Sequence, residues 1–527
     1  MLHTTSALRG MVTSPHHLAS QAGLDVLKQG GTAAEACVAT AATLAVVYPH
    51  MNSIGGDSFW MVSEPDGSVH AVHGCGSAAA RADLALYAGC RQVPWRGPLA
   101  ANTVAGTISA WEAVLESSAG HLPLDTLLRA AIGYAENGVP VTKGGADIAA
   151  GKGAELRAQP GDYARVFEPQ GRPLVCGDVL VQPALARTLR QLVREGLDSF
   201  YRGPLAQALA DDLDRLGSPV SLNDLRDHRV ERPDPLHTRI GGATLFNTAP
   251  PTQGLASLLI LALFDRVRAR VGEGEATLVH HLVEATKQAF IVRDRHVGDP
   301  AYMTLDPQNL LDSDGVKDAM AARIDSNRAL PWPYEPAQGD TVWFSAADAR
   351  GQVVSAIQST YFEFGSGLVL PQTGIIWQNR GASLRLEADG WNCLRPGRKP
   401  FHTLNPALAR FDDGRVMAYG TMGGEGQPQT QAALFSRYAW GETPLQQAVT
   451  APRWLLGRTW GEESTSLKLE AGMADEVYTQ LRALGHDVQV VPAFNSMMGH
   501  AGAIVRKANG LLEGASDPRS DGLVAAF

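Results

Sequence analysis

The chain has 527 residues, a formal charge of −9, 45% apolar residues and only 7% aromatics, which excludes a basic nucleic-acid-binding surface and gives no sign of a membrane-surface partner. No run reaches the ~18 apolar residues of a membrane span, and the opening MLHTTSALRGMVTSPHH has no apolar stretch behind a basic one, so the expected compartment is the cytoplasm. The five cysteines, Cys37, Cys75, Cys90, Cys176 and Cys393, are odd in number and scattered. They read as incidental thiols of a reducing compartment, with no metal site and no cofactor motif.

In chain order, apolar periodicity predicts helices around residues 18–29, 32–47, 124–136, 181–195, 203–216 and 253–270, with short strands in the last third. No internal repeat or long linker divides the chain, so one mixed α/β body is expected. The one irregular stretch is ALPWPYEPAQGD at 329–340, whose three prolines mark an exposed segment.

Directly after it come two strand-like runs, Val342 to Ala347 and Gln352 to Thr360, separated by the turn cluster Asp348-Ala349-Arg350-Gly351. They predict a β-hairpin with Thr341 at its entrance. A threonine hydroxyl is a weak nucleophile, but at a chain terminus its own α-amine, which in short peptides titrates at ~7.7–8.0, can serve as base. That requires the Asp340–Thr341 bond to be cut, with the Thr341 hydroxyl attacking the Asp340 carbonyl and water opening the ester. Taken alone, the segment reads more readily as an ordinary strand threonine.

Five further segments bear on that choice. They are ASQAGLDVLKQGGTAAEACVATAATLAVVYPHMNSIGGDSFWMV at 19–62, DTVWFSAAD at 340–348, RPGRKPFHTLNPAL at 395–408, GTMGGEGQPQ at 420–429 and GASDPRSDG at 514–522. In order and approximate spacing they resemble the γ-glutamyltransferase family of N-terminal-nucleophile hydrolases, from about Met11 to the C-terminus. The resemblance implies a four-layer αββα sandwich built by both products of a self-cleaved precursor. These would be a large chain 1–340 and a small chain 341–527, held as a heterodimer or a dimer of heterodimers.

The resemblance also implies site residues. Thr341 would be the nucleophile and Asp340 the residue before the cut. Gly423 and Gly424 would form the oxyanion element, since glycines let backbone N–H groups converge on developing charge. Ser359, on the second hairpin strand, would orient the Thr341 hydroxyl.

The substrate grip departs from the family. Where γ-glutamyltransferases hold the glutamyl α-carboxylate and α-amino group, this chain has Cys75, Tyr361 and Ser383, so an α-ammonium is expected to meet no carboxylate at those places. His402 and Thr403 stand in place of paired serines, and Arg380, beside Asn379, is new in a QNRG turn. Arg380 could equally be a solvated surface residue, and His402 a strand cap. Together the changes imply a small anionic amide as substrate, and with them the chain resembles those members of the family that cleave oxamate to oxalate and ammonia in purine-derived nitrogen catabolism. The alternatives are γ-glutamyl transfer or hydrolysis, a glutaryl or cephalosporin-type acylase and, in another class, a self-processed but inactive binding protein.

Overall fold

The two runs around Asp348–Gly351 fold as the expected hairpin, Asp340–Asp348 against Val353–Tyr361, and their alternating side chains organise what is stacked on either face. Val342, Phe344 and Ala346 point into one apolar core, Trp343 and Ala347 into another. A strand buried on both faces must sit inside a stack of layers. This is a computed structural model, describing residues 3–332, 340–388, 390–457 and 464–527. Most of the proline-rich stretch expected to be exposed, residues 333–339, lies outside the described residues.

The hairpin is the centre of a six-stranded antiparallel sheet in the order Leu523–Ala526, Gly10–Ser14, Asp340–Asp348, Val353–Tyr361, Asp57–Ser63, Val69–Gly74. A seven-stranded antiparallel sheet lies over it, ordered Thr5–Ala7, Leu512–Ser516, Gly502–Arg506, Val416–Gly420, Ala407–Phe411, Ala243–Asn247, Leu236–Ile240. Met11, Phe59, Met61, Trp343, Ile357, Leu408 and Ile504 fill the space between the sheets. Helices cover both outer faces. His17–Lys28, Ala33–Val47, Leu124–Asn137 and Pro183–Glu195 share the core of the six-stranded sheet. Gly254–Val267, Glu275–His296 and Gln427–Phe435 share that of the seven-stranded one. The layering is αββα, as expected.

Both sheets draw strands from either side of Thr341, so the division expected there runs through the body and is not a domain boundary. The six expected helices form within about three residues of their anticipated ends at each terminus. The helix Ala33–Val47 is buried all round, which its alanines permit, and it starts with a Thr32–Glu35 capping box. Strands Asp57–Ser63 and Val69–Gly74 and the 22-residue helix Glu275–His296 were not anticipated. That helix buries His280, His281, Glu284 and Lys287, whose polarity hides its apolar period. Among the described residues no helix is long and apolar enough to cross a membrane.

Candidate active site

Register brings the first residues together. Asp57, on the strand next to the hairpin, is the cross-strand partner of Ser359. On the other side Gln358 pairs with Val342 and Tyr361 with Asp340, so a bulge sets Ser359 and Thr360 opposite Thr341. Thr341, Ser359 and Asp57 therefore lie in one row across three adjacent strands, all fully buried. The Ser359 hydroxyl accepts the Tyr361 N–H at 2.8 Å. Gly56 packs beneath it, where a Cβ would come within 2.1 Å of the Ser359 carbonyl oxygen.

Gly423 and Gly424 follow the strand Val416–Gly420, with φ of 116° and 52°, a left-handed region that suits glycine. The tight turn Gly424–Gly426 leads into the helix Gln427–Phe435, whose first residue, Gln427, places Nε2 3.5 Å from the Thr341 Oγ1. The turn is held from behind. Gln253 Nε2 donates to the Gly424 carbonyl at 2.8 Å and to the Thr403 carbonyl at 2.7 Å. Arg293, from the long helix, donates to Gln253 Oε1 at 2.9 Å and to Glu425 Oε2 at 2.7 Å. This corner is braced by a buried ion pair and a shared amide.

The adjoining pocket differs. The segment Trp377–Arg380 is tied back to the hairpin, with the Asn379 N–H donating to the Thr360 carbonyl at 3.1 Å. That places the Arg380 guanidinium 3.9 Å over the Tyr361 ring. Tyr361 itself has φ of 83°, unusual for a residue with a side chain. Arg380 is fully buried, and its one hydrogen bond among the described residues is a long 3.4 Å donation to Thr403 Oγ1. Its Nε and Nη2 have no hydrogen-bond partner among the described residues. Burial lowers its pKa to about 10, so it stays charged at neutral pH. His402 is equally buried, its ring against Phe59, and is neutral because burial and then the Arg380 charge lower its pKa well below 6.5.

Sequence reasoning missed Asp57. One carboxyl oxygen, Oδ1, accepts Gly106 N at 3.0 Å, Gln378 Nε2 at 3.1 Å and Gly76 N at 3.4 Å. The other, Oδ2, lies 3.4 Å from His402 Nε2. Burial raises the Asp57 pKa to about 7, the Arg380 charge partly offsetting it. A carboxyl group therefore does stand close to the residues expected to grip the substrate. The signal was an aspartate following two glycines in a buried strand start, with no charge beside it in sequence.

Two other anticipated residues are occupied by the framework. Asn379 accepts the Phe362 N–H at 3.1 Å and donates to the Trp95 carbonyl at 2.8 Å, and the Ser383 hydroxyl donates to the Phe401 carbonyl at 3.1 Å. Cys75 is buried at the end of strand Val69–Gly74. Elsewhere His280, Glu284 and His486 bring ligand-type atoms within 4.8 Å of one another. There the two histidines bond each other at 2.8 Å, while Lys287 and the Leu330 N–H take the Glu284 oxygens.

Comparison with known proteins agrees with this architecture. The family described as Gamma-glutamyltranspeptidase matches residues 19–527. The chain is 52% identical over its whole length, and over the whole of the relative, to an oxamate amidohydrolase proenzyme of Klebsiella pneumoniae. It is 40% identical to a glutathione hydrolase-like proenzyme of Bacillus subtilis, across 97% of each chain. Among solved structures it resembles a cephalosporin acylase from Bacillus halodurans, with a TM-score of 0.90 at 33% identity over 100% of this chain and 97% of that one.

Proposed function

The chain belongs to the gamma-glutamyltranspeptidase family, and within it we propose a self-processing amidohydrolase that uses Thr341 to cleave oxamate to oxalate and ammonia. The observation that carries the substrate is Arg380. A buried guanidinium with Nε and Nη2 unpaired among the described residues costs several kcal/mol, and a substrate carboxylate removes that cost by a two-toothed contact. In oxamate a single bond joins the carboxylate carbon to the amide carbon, so a carboxylate seated on Arg380 must keep the amide close by. The expected roles of Tyr361, His402 and Thr403 are to shape and line that seat.

The steps follow from the residues. Cleavage after Asp340 frees the Thr341 amine. The amine takes the hydroxyl proton as Oγ1 attacks the amide carbon, and the Gly423 and Gly424 N–H groups receive the developing oxyanion. Collapse expels ammonia, with the amine returning the proton to the leaving nitrogen. Water, deprotonated by the same amine, then hydrolyses the oxalyl ester to release oxalate. Ser359 and Gln427 hold the hydroxyl in line. The large chain 1–340 and the small chain 341–527 remain one heterodimer because they share both sheets. Oxalate and ammonia are the products expected of nitrogen recovery from purines in the cytoplasm.

Asp57 supports a second reading, since an ionised carboxylate there could meet the α-ammonium of a γ-glutamyl donor. Ammonia or amine release from oxamate, glutamine, a γ-glutamyl anilide and a glutaryl amide decides between them. Oxamate is expected to have the highest kcat/KM. A γ-glutamyl anilide turned over as well as oxamate overturns the oxamate reading.

A further inference from the structure

Asp57 is buried with its two oxygens in different circumstances. Oδ1 is saturated by Gly106, Gln378 and Gly76, whereas Oδ2 makes no hydrogen bond among the described residues and lies 3.4 Å from His402 Nε2. Among the described residues neither ring nitrogen of the buried His402 makes a hydrogen bond, and Arg380 is the strongest charge acting on that ring. A neutral imidazole carries one N–H, and which nitrogen has it is set by the bond the other makes. If Asp57 is ionised, Nε2–H donates to it and Nδ1 offers the pocket a lone pair, which repels a carboxylate. If Asp57 carries a proton, it donates to Nε2, and Nδ1 offers the pocket an N–H.

We propose that Asp57 is a positioning residue that, by holding a proton taken from solvent, fixes His402 in the tautomer whose Nδ1–H binds a substrate carboxylate seated on Arg380. This rests on the reading of Arg380 as the seat of an anionic substrate. The groups around Asp57 make the coupling one-signed. Arg380 comes from the Trp377–Arg380 segment and His402 from the Thr403 loop, with His73 and Cys75 from the neighbouring strand and Tyr201 from the helical layer. Behind them Lys399 is paired with Glu231. Burial keeps His73 neutral and the Cys75 and Tyr201 groups protonated, so among them Asp57 alone changes charge near neutrality; in the mature protein the Thr341 amine in the same row also titrates there, and the Asp57→Asn variant separates its share of any proton uptake. An incoming carboxylate cancels the Arg380 charge that eases Asp57 ionisation, so binding must draw a proton onto Asp57.

The test uses propionate, a small monocarboxylate with no amide to cleave, bound to the mature wild-type protein and followed by calorimetry in buffers of different ionisation heat. Below pH 6 no proton uptake is expected. Above pH 7 uptake should approach one proton per propionate, with affinity falling by up to tenfold per pH unit. Asp57→Asn mimics the protonated carboxyl, its amide donating to Nε2, and should bind propionate with the low-pH affinity at pH 5.5 and 8.5 alike. Wild-type binding that is independent of pH, or a variant that keeps the wild-type pH profile, overturns the Asp57 role and leaves the anion seat standing. Failure of propionate to bind at any pH overturns the seat on Arg380, and the proposed function with it.

Discussion

The corner around Thr341 and the pocket around Arg380 share a wall but follow opposite rules. At the corner the Gly424 carbonyl, Gln253, Arg293 and Glu425 meet at 2.7–2.9 Å, and the buried charge of Arg293 has a buried countercharge. In the pocket Arg380 is as deeply buried, yet among the described residues two of its nitrogens are without a hydrogen bond, as are both ring nitrogens of His402. The contrast teaches where each region's stabilisation comes from. On the proposed reading, a braced corner complete in the folded chain holds the oxyanion without rearranging, whereas a pocket of orphaned donors is completed by its ligand.

The largest expected effect bears on the corner. Thr341→Ala should remain a single chain and lose all activity, because it lacks the attacking hydroxyl both for self-cleavage and for turnover. Thr341→Ser keeps the hydroxyl and should still cleave. Gel separation of the denatured chains and N-terminal sequencing of the smaller one read both outcomes. A wild type that is active as an uncut chain would remove the nucleophile from this corner altogether.

Next is the brace itself. Arg293→Met keeps the side-chain volume but takes the Arg293 ion pair away from the buried Glu425 carboxylate, and should cost about 3–5 kcal/mol of stability. The denaturant midpoint of the mature variant measures it. A midpoint equal to wild type would mean that the corner is no better satisfied than the pocket.

In the pocket the charge must be presented as a planar fork. Arg380→Lys retains the charge but not the fork, so kcat/KM for oxamate should fall at least tenfold, about 1.4 kcal/mol of transition-state binding, while self-cleavage proceeds normally. Steady-state kinetics and a denaturing gel on one preparation separate grip from folding. Wild-type kinetics in a cleaved Arg380→Lys protein would pass the grip to His402 and Thr403.

Much of the corner was legible in the sequence and much of the pocket was not, for a physical reason. The hairpin announced itself by alternation and a turn, and Gly423-Gly424 by a residue type whose backbone freedom is local. Arg380, His402, Thr403 and Tyr361 were visible as departures from a family pattern, yet nothing local distinguishes a buried arginine from a surface one. Asp57 had no local signal at all. It becomes meaningful only because register sets it beside Ser359 and a loop more than 340 residues away lays His402 against it. Its two companions in the same position, Gln253 and Arg293, are likewise ordinary residues until the chain closes around Gly424. Asn379 and Ser383 show the converse, since polar residues beside a site can serve the framework instead.

The smallest effect discriminates best between the two regions, because it reverses sign. If Arg380 is an unpaired charge kept for a ligand, replacing it with an apolar side chain of similar length should relieve the fold. Arg380→Met is therefore expected to be inactive on oxamate yet more stable than wild type by about 1 kcal/mol, a rise of about 1–2 °C in Tm for a chain of this size. Asp57 sets the pH at which to look. Its folded-state pKa, raised to about 7, means that at pH 6 it is protonated in both proteins and loses nothing when the neighbouring cation goes. Removing Arg380 raises that pKa further, so above pH 7 the variant must keep holding a proton that the wild type can release, and the gain should shrink as pH rises. Thermal unfolding of both mature proteins at pH 6 and pH 8 gives the comparison. A variant less stable at pH 6 would show that the Tyr361 stack and the Thr403 contact already satisfy Arg380, and the pocket would then be braced in the same way as the corner.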